Sequence, residues 1–480
     1  MFNKDSADSL SKFVRDLGWY SIAGLIPSVL GVIALTVFTR IFDPTAYGRY
    51  ALAMVFVSVL STGLFDWVRQ AVLRYNSDEE NITPTILSLL FGVSALVVLL
   101  GVFAYFLLDS ALGVYRVYYF AALAAVISIG GFNVCTAIFQ AKLQSRAVMN
   151  FKLIRGVLRH GLGFLISVYL LQSIVGWIWG AFVGSFLVFL LMVYELNVSK
   201  LDFDRPAVIK LVRYGVPMMG WLFGFTLLTF VDRILIEVLQ DTQAVGIYTA
   251  NYTLVQTGLP LALVPIIETV HPMIMERWNG NNTDEIAEMI SKYSRYFLLI
   301  GMPAMVFAGI ISRPLSYIAL DSGYHAGFIV IPIIGVALFL WNFSMIGHKG
   351  LEVQDNTKMM TIGVTIAVLV NLGLNYLLIP VLGYIGAAAA TLASSSAYVV
   401  FAYATSFRTV RWSIPIHSVL RIGFCSLVMV VVGYGGYLLP ESPVLGPIIS
   451  AILSGGVYLI LIVLSGELDP SEINQIRSIL

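Results

Sequence analysis

The chain has 480 residues, 59% of them hydrophobic and only 11% charged, against about a quarter charged in soluble domains. The formal net charge is +1, so nothing favours nucleic acid as a partner. The composition excludes a soluble enzyme and predicts an all-α, multi-pass integral membrane protein. Cys135 and Cys425 both fall in apolar runs, which excludes a disulfide framework and a metal site built on them.

Residues 1–17 form a polar, cytoplasmic N-terminal segment. No small-residue cleavage site precedes the next spans, so the first apolar run is expected to be retained. Runs of roughly 20 apolar residues cross ~30 Å of hydrocarbon as helices. They predict spans 1 to 6 at 18–39, 47–70, 84–108, 117–140, 151–171 and 174–194. A polar, basic linker at 195–213 separates these from spans 7 to 12 at 214–238, 246–271, 294–320, 326–348, 360–380 and 383–405. Two more spans, at 417–438 and 444–465, bring the expectation to fourteen transmembrane helices, and residues 466–480 form a cytoplasmic tail. The organisation is therefore an N-lobe at 18–194, a C-lobe at 214–405, and an appended hairpin at 406–465.

Charge placement orients these spans. With a cytoplasmic N-terminus, every Lys and Arg except Arg40, Arg49, Arg116, Arg233 and Arg313 falls on the inner loops and helix ends. Both termini are then expected in the cytoplasm and the protein in the cell membrane. The loops are too short to house a catalytic domain. Asp202-Phe-Asp204 matches a glycosyltransferase pattern without the nucleotide-binding domain it needs, and no GxxxxGK[ST] loop is present. The bundle itself must carry the function, and the chain is not expected to be an enzyme.

The two halves match each other in parallel. Arg40-Ile-Phe answers Arg233-Ile-Leu, Tyr47-Gly-Arg-Tyr answers Gly246-Ile-Tyr, FDWVRQ (65–70) answers IETVHP (267–272), and Gly176-Trp-Ile answers Gly383-Tyr-Ile. Six spans per half in one orientation imply a pseudo-two-fold axis along the membrane normal.

Three stretches carry a resemblance: TRIFDPTAYGRYALA (39–53), YGVPMMGWLFGFTLLTFVDRILIEVLQDTQAVGIYTANYTLVQ (214–256) and NLGLNYLLIPVLGYIGAAAATLAS (371–394). Together they resemble the polysaccharide transporter family, the Wzx-type oligosaccharide flippases of the multidrug/oligosaccharidyl-lipid/polysaccharide exporter superfamily. The strongest parts are Asp232-Arg233 followed by Gly246-Ile-Tyr, and the LIP…GxxGAAxAT pattern at 378–391. The resemblance implies a two-lobed transporter whose central cavity opens alternately to each side. Its expected cargo is a polyprenyl-(pyro)phosphate-linked oligosaccharide, moved from the inner to the outer leaflet as a step of polysaccharide biosynthesis. The expected partners are that cargo, membrane lipids and the polysaccharide polymerase or glycosyltransferases of the same pathway. The alternatives are a peptidoglycan-precursor (lipid II-type) flippase and a cation-coupled multidrug extrusion transporter.

Ionisable residues in spans mark partners or water-filled cavities, because leaving them in lipid costs roughly 2.5–3.5 kcal/mol. Asp66 and Arg69, spaced i, i+3, share a helix face, and Glu268 and His271 repeat that spacing in the other half. They either line the cavity, binding the head group or a coupling ion, or form interfacial salt bridges. Lys152, Arg155 and Arg159 form one cationic stripe on span 5, suited to pyrophosphate oxygens; His160 lies beside it. Asp232 and Arg233 are adjacent and need separate partners, and an Asp232–Arg40 contact would make an outer gate. Asn371 and Asn375 are polar candidates for the cavity or for interhelical hydrogen bonds. Asp66, Asp232 and Glu268 are the candidates for a coupling ion, H⁺ or Na⁺; no other cofactor is expected. Pro260, Pro265 and Pro272 make span 8 the strongest candidate for a bent helix.

Overall fold

The computed structural model describes residues 25–76, 82–198, 200–278, 283–354, 357–408, 410–438, 445–468 and 472. Among them the chain is helical, with no strand. The polar start 1–17 and most of the tail fall outside the described residues. The helices in order are α1 (Leu25–Ile41), α2 (Pro44–Tyr75), α3 (Thr83–Leu112), α4 (Arg116–Ala141), α5 (Ser145–Leu170) and α6 (Val175–Glu195). Then come α7 (Arg205–Leu239), α8 (Thr242–Gly258), α9 (Pro260–Arg277), α10 (Thr283–Ile310) and the short α11 (Ser312–Ala319). The chain closes with α12 (Val330–Gly347), α13 (Thr357–Leu382), α14 (Tyr384–Phe407), α15 (Ile416–Leu438) and α16 (Leu445–Leu464).

Ten of these helical stretches are long and apolar enough to cross a membrane, or eleven when the bent pair α8–α9 counts as one span. The number fourteen is not established by this measure. Residues 83–141 count once in it, because a single 3₁₀ turn at Gly113–Tyr115 joins α3 to α4. The described part of α1 is shorter than a full span.

The chain divides by compactness into Val29–Thr249 and a second unit holding Ala250–Leu480 together with the start of α1 up to Ser28. That division is of a different kind from the sequence repeat, and it assigns α7 and the first turns of α8 to the N-terminal unit. The repeat has a local counterpart in that unit. Asp43 Oδ1 accepts the N–H of Ala46 at 2.9 Å, and Asp241 Oδ1 accepts that of Ala244 at 2.7 Å. Both helices, α2 and α8, thus start from the same aspartate cap, which satisfies an otherwise orphaned N–H. Five residues on from each Asp stands a glycine, and Gly48 and Gly246 meet backbone to backbone: a Cβ on either would strike the other helix's first turn.

Small residues also set the packing of α5 on α6. Gly176, Gly180 and Gly184 fall every fourth residue on α6, and a Cβ at each would run into the backbone of Ser167, Gly163 and Arg159 respectively. Close backbone approach along such a stripe is how helices associate where lipid removes the hydrophobic drive.

Two spans depart from regular α-helix. In α2, residues Thr62–Asp66 form a π turn, and Ile166–Leu170 do the same at the end of α5. Span 8 breaks at Leu259: α8 and α9 are bent by 47°, as the prolines led one to expect. Pro260 has no N–H to give and its ring would clash with the carbonyl four residues back.

Candidate functional site

The glycine stripe of α6 fixes where the basic face of α5 points. With the α5 backbone pressed against α6 from Arg159 to Ser167, Arg155 and Arg159 turn into the N-terminal unit while Lys152 stays exposed. Arg155 Nε donates to Ser185 Oγ on α6 at 3.0 Å. Its guanidinium carbon sits 4.2 Å from the ring centroid of Phe132 on α4, a cation–π contact. One turn on, Arg159 hydrogen-bonds the Tyr50 hydroxyl on α2.

Around Arg159 stands an aromatic frame. Trp177 is sandwiched between Phe38 of α1 at 3.8 Å and Tyr50 at 4.5 Å, both stacked nearly parallel. Tyr47 lies 6.1 Å and His160 6.4 Å from the same indole. Three nitrogens here are buried without a hydrogen-bond partner: Arg159 Nε, His160 Nδ1 and Trp177 Nε1. Among the described residues, neither arginine has a carboxylate within ion-pair distance. Two guanidinium groups and three unpaired nitrogens thus share one buried place, where polar groups are normally satisfied; arginines pair with phosphate oxygens through two parallel bonds.

The other candidates of this unit fall elsewhere in it. Asp66 and Arg69 stay together, Nη1 to Oδ1 3.8 Å, a loose pair. Asp66 Oδ1 is buried and makes no hydrogen bond, while Thr62 donates to the carboxylate. The π turn places this acid, and such turns recur at functional positions. Asp232, fully buried, receives the Tyr248 hydroxyl at 2.7 Å. Arg233 donates to the Thr229 carbonyl at 2.6 Å and lies near the rings of Phe230 and Tyr248. Arg40 is exposed at the end of α1.

In the C-terminal unit, Asn371 and Asn375 on α13 are both fully buried. Asn375 Nδ2 donates to Asn371 Oδ1 at 2.8 Å, and Asn371 Nδ2 reaches Thr391 Oγ1 of α14 at 3.5 Å. Glu268 is exposed. His271 meets Glu352 instead, Nδ1 to Oε2 3.1 Å, and Lys349 Nζ donates to both oxygens of that carboxylate at 2.8 and 2.7 Å. Sequence reading missed Glu352, Lys349, Tyr50 and Trp177 as site members. The Lys349-x-x-Glu352 spacing was the available signal for the first two; the aromatic pair gave none, since nothing local ties Trp177 to Arg159.

A family model described as polysaccharide biosynthesis protein matches residues 13–278. The probable flippase AglR of Haloferax volcanii is 24% identical over 367 residues, covering 73% of this chain and 74% of its own length. Among solved structures, the lipid II flippase MurJ in an inward closed conformation matches with a TM-score of 0.78 at 17% identity, over 94% of this chain and 99% of its own. A multidrug resistance MATE family transporter of the MOP superfamily, in an inward-facing conformation, matches with 0.64 at 15% identity, over 82% and 98%. The structural likenesses are of fold, and the relatives are flippases and transporters, not enzymes.

Proposed function

Because the chain belongs to the polysaccharide biosynthesis protein family, we propose that it is a flippase. In this reading it carries a polyprenyl-(pyro)phosphate-linked oligosaccharide from the inner to the outer leaflet of the cell membrane by alternating access of its two halves. The observation that carries the cargo class is the Arg155–Arg159 pair: two inward-facing guanidinium groups with neutral partners only. An uncompensated charge away from water is costly, and a pyrophosphate would supply the missing negative charge with oxygens placed for bidentate bonds. The aromatic frame beside Arg159 offers the flat apolar faces on which sugar rings stack. The same reading leaves Asp66, Asp232 and Glu268 as the carboxylates through which H⁺ or Na⁺ would drive the cycle.

The test is the fate of lipid-linked oligosaccharide in a deletion strain. Accumulation in the inner leaflet, reversed by the intact gene and not by Arg159→Ala at equal membrane abundance, is the expected result. Full complementation by Arg159→Ala removes the pyrophosphate reading. No accumulation, with changed tolerance to cationic drugs, points to the extrusion branch.

A further inference from the structure

We propose that His271, Glu352 and Lys349 form a proton-operated latch holding the second half of the broken span, α9, to the end of α12. The argument starts from the break. Pro260 removes the helical hydrogen bond that would keep α9 in line with α8, so the direction of α9, bent by 47° from α8, is set by its side contacts. One of those contacts joins a histidine to a carboxylate. His271, on α9, places Nδ1 3.1 Å from Glu352 Oε2, and Glu352 closes the short turn Lys349–Glu352 that continues α12.

The carboxylate therefore faces two donors of different character. Lys349 is buried, 6% exposed, and donates to both oxygens, so the acid has a partner besides His271. The His271 side chain is 48% exposed, unlike the enclosed lysine. Histidine is the side chain whose charge changes between about pH 5 and 8. As neutral imidazole, Nδ1–H gives Glu352 an ordinary hydrogen bond; as imidazolium it gives a charge-assisted one, roughly twice as strong. Proton uptake tightens the latch and proton loss slackens it.

The surrounding groups leave that role to His271. On α9 itself are Glu268, which is exposed, and Arg277, which pairs with Glu285 of α10 at 3.4 Å. Tyr293 of α10 donates to Met273 Sδ. His348, at the end of α12, is 1% exposed and contacts the Tyr398 hydroxyl of α14 through Nδ1 at 3.2 Å, out of reach of bulk solvent.

Hydrogen exchange of the full-length protein in lipid nanodiscs tests this, at about pH 5.5 and about pH 8 with intrinsic rates corrected. The amides of α9 are expected to exchange about fivefold more slowly at the lower pH, the difference between a neutral and a charge-assisted hydrogen bond. His271→Gln keeps a neutral donor and loses the titration, so its α9 should exchange alike at both pH values. Equal protection of the wild type at the two pH values overturns the latch, as does a pH effect that survives in His271→Gln. Glu268→Gln should leave the effect intact; its disappearance there would hand the proton to Glu268 and overturn the assignment to the His271–Glu352 contact. Glu352→Gln should abolish it too, and since that change strands buried Lys349 and endangers folding, His271→Gln is the deciding variant.

Discussion

Arg295 of α10 gathers two carboxylates from the end of the chain. Its Nε meets Glu467 Oε1 at 2.8 Å, its Nη1 meets Glu472 Oε1 at 2.8 Å, and Tyr296 donates to the same Glu472 oxygen at 2.9 Å. The Glu467 side chain is 2% exposed, so removing its main cation leaves a buried charge. Arg295→Met should therefore cost about 3–5 kcal/mol, read as a clear drop in the midpoint of thermal unfolding in detergent. Arg421 also faces Glu467, at 3.7 Å, but is 52% exposed; Arg421→Met should cost under about 1 kcal/mol. Equal losses for the two would show that the pairing does not hold the tail. None of this was legible in the sequence, where Arg295 counts only as a basic residue flanking a span. Its acids lie more than 170 positions away, and no local pattern reports a contact that the packing of α10, α15 and α16 creates. Arg159 was legible for the opposite reason: a guanidinium eight residues into an apolar run stands out whatever it touches.

At the scale of the helix, apolar runs read the all-α membrane fold, because the bilayer imposes length and composition on every span alike, while the ten or eleven spans long and apolar enough to cross leave the count of fourteen unestablished. The bend of span 8 was legible too, since proline's missing donor acts locally. The π turns at Thr62–Asp66 and Ile166–Leu170 were not: one extra residue in an apolar run of roughly twenty leaves no mark on its composition. The glycine stripe of α6 lies between the two cases, visible as a four-residue spacing but silent about its partner. It predicts a sharp contrast. Gly180→Leu puts a side chain into the Gly163 backbone, whereas Gly161, two residues nearer Arg159 on a different face of α5, has open space at its Cβ. Backbone cannot yield as a flexible side chain does, so Gly180→Leu should exceed the 1–3 kcal/mol typical of overpacking and abolish accumulation of folded protein. Gly161→Leu should express and melt as the wild type. A folded, unshifted Gly180→Leu would mean that α5 and α6 slide apart at no cost.

At the scale of the whole molecule, the compact units meet in the sequence between Thr249 and Ala250, inside α8 and not in the long polar linker at 195–213. One continuous helix is thus shared out between the two units, and it breaks a few residues later, at Leu259–Pro260. Pro260→Ala restores the N–H and removes the clash with the carbonyl of Gln256, which lets Thr242–Arg277 run as a single helix at little cost to stability. If transport requires α8 and α9 to change their angle, stiffening the joint should slow flipping severalfold while the melting temperature holds or rises, as hinge substitutions far from the binding groups do. Pro265 and Pro272 lie inside α9 without breaking it, so Pro265→Ala is the matched control and should transport at the wild-type rate. A Pro260→Ala protein that flips its cargo normally would place the moving joint elsewhere in the fold.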